Sequence, residues 1–138
     1  MNGRSFLDTN VLVYAYDPTD PRKQKIAEDL VKQAMAGDAV ISTQVLAEFA
    51  ATLLHKVAVG RTAEDLVLML DILAPIRVVP SDGDTVRRAV EARKAYGIHF
   101  YDGMIVASAE RAGCARIWSE DLNAGQKYFG VAVENPFA

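Results

Sequence analysis

The chain has 138 residues, 51% hydrophobic and 24% charged, the proportions of an ordinary globule, and its length predicts one domain spanning 1–138. No apolar run approaches the ~20 residues of a membrane span, and the start lacks the basic, apolar and small-residue succession of a signal peptide, so the expected compartment is the cytoplasm, with no membrane partner. A net charge of −3 argues against a general electrostatic nucleic-acid binder, though not against a nuclease with clustered acids, and the single Cys114 excludes an internal disulfide or a thiolate metal site.

In chain order, short β-branched runs alternate with amphipathic helical stretches, which predicts an α/β fold with a parallel sheet. "SFL" (5–7) is the first strand, continuing into a short helix through Val11 to Tyr16. Asp20 and Pro21 start a helix that runs to Met35, buries Ile26, Ala27, Leu30, Val31, Ala34 and Met35, and closes at Gly37. "AVIS" (39–42) is the second strand. A helix from Thr43 to Val57 follows, with Val45, Leu46, Phe49, Leu53 and Leu54 apolar and Gly60 as its stop. Thr62 and Asp65 form a capping box for a helix to Leu73. "RVV" (77–79) is the third strand, residues 82–96 and 101–112 are helices ended by Gly97 and Gly113, and "RIWS" (116–119) and "VAV" (131–133) complete five strands.

Four acids fall where this topology directs residues to one edge. Asp8 follows the first strand and Asp121 the fourth; Glu48 lies in the second turn of the helix after the second strand; Asp102 opens the helix at 101–112. Ligands of open parallel sheets bind beyond the carboxyl ends of the strands. Two carboxylates ~5 Å apart repel by about 3 kcal/mol at an effective dielectric of 20, so a cluster protonates, splays or holds a hard cation through oxygen ligands. With no thiolate site and only His55 and His99 in the chain, Mg²⁺ or Mn²⁺ is favoured over zinc. Each acid also has an ordinary reading as a cap, dipole partner or turn residue. By pattern alone, a metal site and four unrelated acids both stand.

"FLDTNVLVYAYD" (6–17), "STQVLAEFAATLLHK" (42–56), "YDGMIVASAERAGC" (101–114), "WSEDLNAGQ" (118–126) and "VENPF" (133–137) resemble, in order and local setting, the PIN domains, and within them the VapC-like toxins of toxin–antitoxin pairs. The resemblance implies a three-layer α/β sandwich with a central, mostly parallel five-stranded sheet flanked by helices. It also implies a Mg²⁺- or Mn²⁺-dependent endoribonuclease whose acids correspond to Asp8, Glu48, Asp102 and Asp121. Asp8, Asp102 and Asp121 are then the metal ligands, Glu48 is a ligand or the base that aligns water, and Asn10 and Ser119 are positioning groups. Thr9 is read as the cap of the first helix, and Glu120 as a solvent-facing acid or a contact to a second metal.

The remaining candidates have plain readings. Arg22, Lys23 and Lys25 form a solvated basic face or hold phosphates. His99 is a hydrogen-bonded loop residue or the one histidine that approaches a substrate, Cys114 is a core residue, and Tyr14, Tyr16 and Tyr101 are packing residues rather than base-stacking platforms. The helix at 62–73 is apolar on more than one face through Leu66, Val67, Leu68, Met69, Leu70, Ile72 and Leu73. Its spare face packs on the protein's own helices or forms an interface. The family resemblance suggests a homodimer contact and a groove for a small antitoxin, whose Arg could enter the acid pocket. The rival readings are a housekeeping PIN-like nuclease without an antitoxin and a non-catalytic, receiver-like metal-binding module. The latter lacks its acceptor Asp, since Pro80 and Ser81 follow the third strand.

Overall fold

A computed structural model describes residues 3–55 and 61–138. The elements are β1 (Ser5–Leu7), α1 (Thr9–Ala15), α2 (Pro21–Met35), β2 (Ala39–Ser42), α3 (Thr43–His55), α4 (Ala63–Leu73), β3 (Arg77–Val79), α5 (Gly83–Tyr96), α6 (Phe100–Arg111), β4 (Arg116–Trp118), β5 (Lys127–Tyr128) and β6 (Val131–Glu134). The predicted end of the third helix at Val57 and its stop at Gly60 lie outside the described residues.

The sheet has the order β3-β2-β1-β4-β6-β5, parallel throughout except for the β5–β6 pair. The expected five strands are therefore six among the described residues. The addition is a two-residue strand joined to β6 through Phe129 and Gly130, both at positive φ (49° and 83°). A two-residue turn with both φ positive matches the twist of an antiparallel hairpin. Two residues are too short a run to stand out in an apolar pattern.

Phe6, Leu7, Val40, Ile41, Ile117 and Val133, from the central strands, are fully or almost fully buried and form the middle of the core. Each such side chain contributes about 2 kcal/mol by leaving water. Strands buried on both faces read as continuous apolar runs, as "SFL" and "AVIS" do.

The caps appear as expected. Asp20 accepts the Lys23 N–H ahead of Pro21, and Thr62 and Asp65 satisfy each other's backbone N–H groups. Gly97 ends α5 at φ 69°, a conformation that penalises a β-carbon. Cys114 is buried, and burial pushes its thiol up to about 11, as suits a core residue rather than a reactive one.

On α4, Leu66, Met69 and Leu73 are buried, whereas Val67, Leu68 and Ile72 are more than half exposed. Among the described residues, the spare face of this helix is therefore not covered by the chain's own helices. Among the described residues, no helix is long and apolar enough to cross a membrane.

For the site, the decisive feature is that β1 lies between β2 and β4. The chain leaves β1 toward β2 on one side and reaches β4 on the other, so the strand order reverses at the carboxyl end of β1. The Asp8 N–H continues the β1–β4 ladder by donating to the Trp118 carbonyl (3.0 Å). Asp8 and the loop that carries Asp121 thus leave the sheet side by side.

Candidate functional site

A cavity of about 530 Å³ opens at this edge, and Asp8, Glu48, Asp102 and Asp121 all line it. The four come from the β1–α1 junction, the second turn of α3, the first turn of α6 and the loop after β4.

Asp8 is the most deeply placed, at 5% exposure. It is also the N-cap of α1, so the capping role and the cavity position are filled by one residue: Oδ1 accepts the Thr9 N–H (2.7 Å). Oδ2 accepts the Ser119 hydroxyl (2.7 Å). Ser119, fully buried, in turn accepts the N–H groups of Asp121 (3.1 Å) and Leu122 (3.2 Å). A single hydroxyl therefore ties Asp8 to the backbone of the Asp121 loop.

Burial raises the Asp8 carboxyl to about 6; the Ser119 and Thr9 hydrogen bonds oppose this, and the charges of Asp121 and Asp102 add to it. Asp102 is raised as well, by burial first, then by Asp121 and Glu48, with His99 opposing. These couplings link all four acids as one electrostatic group.

Thr9 departs from its expected role. Asp8 is the cap, and the Thr9 hydroxyl instead donates to Glu48 Oε1 (2.7 Å), joining α1 to α3. Asn10 lines the cavity with both amide atoms buried and without hydrogen-bond partners, so it does not orient a neighbouring carboxylate as the protein stands. An unpaired buried amide is costly.

Glu120 also lines the cavity, half-buried, and is claimed by partners other than the four acids. It accepts from Lys23 Nζ (2.6 Å) and from the Tyr14 hydroxyl (2.6 Å). Burial disfavours its charge, but these two donors hold its carboxyl below the usual range. Arg22 donates to the Phe137 carbonyl (2.7 Å), while Lys25 stays largely exposed and pairs on the surface with Asp29 (3.2 Å).

His99 is the N-cap of α6, its Nδ1 accepting the Tyr101 N–H (3.3 Å), as a hydrogen-bonded loop residue should. Tyr14 packs edge-on against Phe137 and Tyr16 against Phe49, as expected. Tyr101 does not pack away: it is 54% exposed.

Gln44, Ala51 and Thr52 also line the cavity and were not singled out in the sequence. The signal was present, since Gln44, Glu48 and Thr52 recur every four residues along one face of α3.

The donor set can be weighed for a metal. It consists of carboxylate and amide oxygens, with Asp8 buried and its two hydrogen bonds coming from neutral donors. In chemistry this fits a hard divalent cation. In the conformation observed, no three His, Cys, Asp or Glu side chains among the described residues are gathered closely enough to close on one ion.

A PIN domain family model matches residues 5–129. Among solved structures, the chain is similar to the DNA-bound VapBC of Salmonella typhimurium (TM-score 0.70, 17% identity, 96% of this chain and 98% of that one). It is also similar to VapBC2 of Rickettsia felis bound to a fragment of its promoter DNA (0.64, 22%, 95% and 97%). A third is VapC20 of Mycobacterium tuberculosis, a toxin that cleaves the sarcin–ricin loop (0.63, 19%, 85% and 89%). These likenesses establish the shared fold. No curated protein matches.

Proposed function

We propose that this chain, which belongs to the PIN domain family, is a divalent-metal-dependent endoribonuclease and the toxin of a toxin–antitoxin pair. Its membership sets aside the receiver-like reading. The observation that carries the proposal is the convergence of Asp8, Glu48, Asp102 and Asp121, from four separate segments, on one cavity at the strand-order reversal.

Asp8, Asp102 and Asp121 would hold the cation. When bound there, Mg²⁺ or Mn²⁺ would supply Lewis acidity that offsets phosphate charge and lowers the pKa of water. The protein's part is placement. Ser119 fixes Asp8 relative to Asp121, and the Thr9 hydroxyl fixes Glu48 through Oε1, leaving Oε2 to align water or to act as a base. The unpaired Asn10 amide suits a contact to water or substrate. Glu120, at the same cavity, has its charge balanced by Lys23 and accepts from the Tyr14 hydroxyl, which sets it apart from the metal-binding acids.

The direct test incubates purified chain with mixed-sequence RNA. Cleavage is expected with Mg²⁺ or Mn²⁺, to be lost in excess EDTA, to return on adding either ion, and to return poorly with Ca²⁺, whose coordination is larger and looser. Cleavage that persists in EDTA sinks the mechanism.

The exposed Val67, Leu68 and Ile72 on α4, with Leu54 on α3, support burial of this surface against other chains. We take these to be a second copy and a small antitoxin whose Arg enters the acid cavity in competition with the metal. Sedimentation at micromolar concentration is expected to find a species of two chains; a strict monomer counts against the dimer.

A further inference from the structure

We propose that the exposed ring of Tyr101 is a platform on which an unpaired RNA base stacks beside the acid cavity, making Tyr101 a substrate-recognition residue. The proposal rests on the ribonuclease reading above and adds to it how the substrate is gripped.

Tyr101 lines the cavity and immediately precedes Asp102. The two tyrosines at the α1 side of the site are otherwise occupied, Tyr14 by Glu120 and Phe137, Tyr16 by Phe49. Tyr101 keeps more than half of its surface in water. It is nonetheless held firmly. Its N–H donates to His99 Nδ1 (3.3 Å) and its carbonyl accepts from Gln44 Nε2 (3.1 Å), so the α6 cap and α3 both fix its backbone. Its ring stacks with the His99 imidazole (5.9 Å, 28°), and Phe100 stands edge-on to it (5.1 Å, 75°). A ring with its backbone fixed, supported alongside and open to water, is pre-organised for a flat partner.

The charge balance of the site gives that partner a reason to be a base. Nucleic-acid affinity ordinarily comes from cations that neutralise phosphates. Here the cavity is acidic, and Lys23, the cation nearest to it, is ion-paired with Glu120. A contact that carries no charge adds affinity without competing with the acids. Stacking on an aromatic ring is such a contact: it tolerates any base and suits single-stranded RNA, whose bases are free to splay.

The test measures fluorescence anisotropy of labelled 12-mers of oligo(A), oligo(U) and an abasic ribose-phosphate chain, with Ca²⁺ replacing Mg²⁺ so that binding is read apart from cleavage. Tyr101→Ala is expected to weaken oligo(A) by about fivefold or more, oligo(U) less, and the abasic chain within about twofold. Tyr101→Phe, which keeps the ring, is expected to restore affinity. Equal losses on base-bearing and abasic chains, or no loss on oligo(A), overturn the proposal. So does a change in sedimentation of Tyr101→Ala, which would make the ring a protein contact. If Tyr101→Ala binds and cleaves like the wild type, the platform falls and the nuclease reading stands. If the wild type neither binds nor cleaves RNA, both fall.

Discussion

Asp8→Asn is expected to lower RNA cleavage at least about a thousandfold while leaving the fold intact, because a ligand charge is removed with little change of shape and each tenfold corresponds to about 1.4 kcal/mol of barrier. The same substitution has a second effect, independent of catalysis and readable in EDTA. In the folded protein burial holds the Asp8 carboxyl at about 6, against an ordinary value of 3.8. Between those values the folded state binds more protons than the unfolded state. Stability therefore falls as pH rises through this window, and the loss is complete above it. That interval corresponds to about 3 kcal/mol. Asn cannot ionise, so urea titrations of the variant from pH 4 to 7 are expected to lack this part of the decline. The gain at pH 7 is smaller than the full amount. Asn offers one oxygen to two donors, the Thr9 N–H and the Ser119 hydroxyl, and loses about 1 kcal/mol in the exchange. A variant that retains wild-type cleavage, or whose stability keeps the wild-type slope, would show that Asp8 is not the buried charge of the site.

Gly103→Ala is expected to destabilise the protein by about 2 kcal/mol and to slow cleavage by about tenfold. Gly103 sits on the buried side of α6, where a β-carbon would stand 2.7 Å from the Ala89 carbonyl oxygen and 3.3 Å from the Ala89 C and Cα atoms. All three belong to the backbone of α5, so no side chain can rotate away. The helices must separate, an overpacking cost of about 1–3 kcal/mol, only partly offset by alanine's better helix propensity. Asp102 is the adjacent residue and moves with the helix, and small misplacements of reacting groups are costly in rate. Gly83→Ala is the matched control. It begins α5, a β-carbon there meets nothing within 4 Å, and neither stability nor cleavage should fall. Equal behaviour of the two variants in urea unfolding and cleavage would overturn the close-packing argument.

Much of this protein follows from local chemistry. The apolar runs "SFL" and "AVIS", the Asp20–Pro21 start, the Thr62–Asp65 box and Gly97 act over a few residues, so their periods and caps mark the elements wherever the chain later places them. The acids were legible as candidates for the same reason: each follows a strand or lies in the first two turns of a helix, and a parallel sheet sends such positions to one edge. The small β5–β6 hairpin was not legible, because a two-residue strand carries no period and exists only through its pairing partner.

What only the tertiary structure decided is which partner each polar group found. Nothing local to Thr9 points to Glu48, 39 residues away, nor to Ser119 as the link between Asp8 and the Asp121 loop. Glu120 reads beside Asp121 as a solvent-facing acid or a contact to a second metal, yet Lys23 and Tyr14 claim it across about a hundred residues of chain. The three tyrosines near the acids were alike as sequence, and only packing set two of them, partly buried, against Phe137 and Phe49 and left Tyr101 open. Periodicity and caps are properties of neighbours along the chain, whereas hydrogen-bond pairing and desolvation depend on what the fold brings within 3 Å and on what it excludes from water.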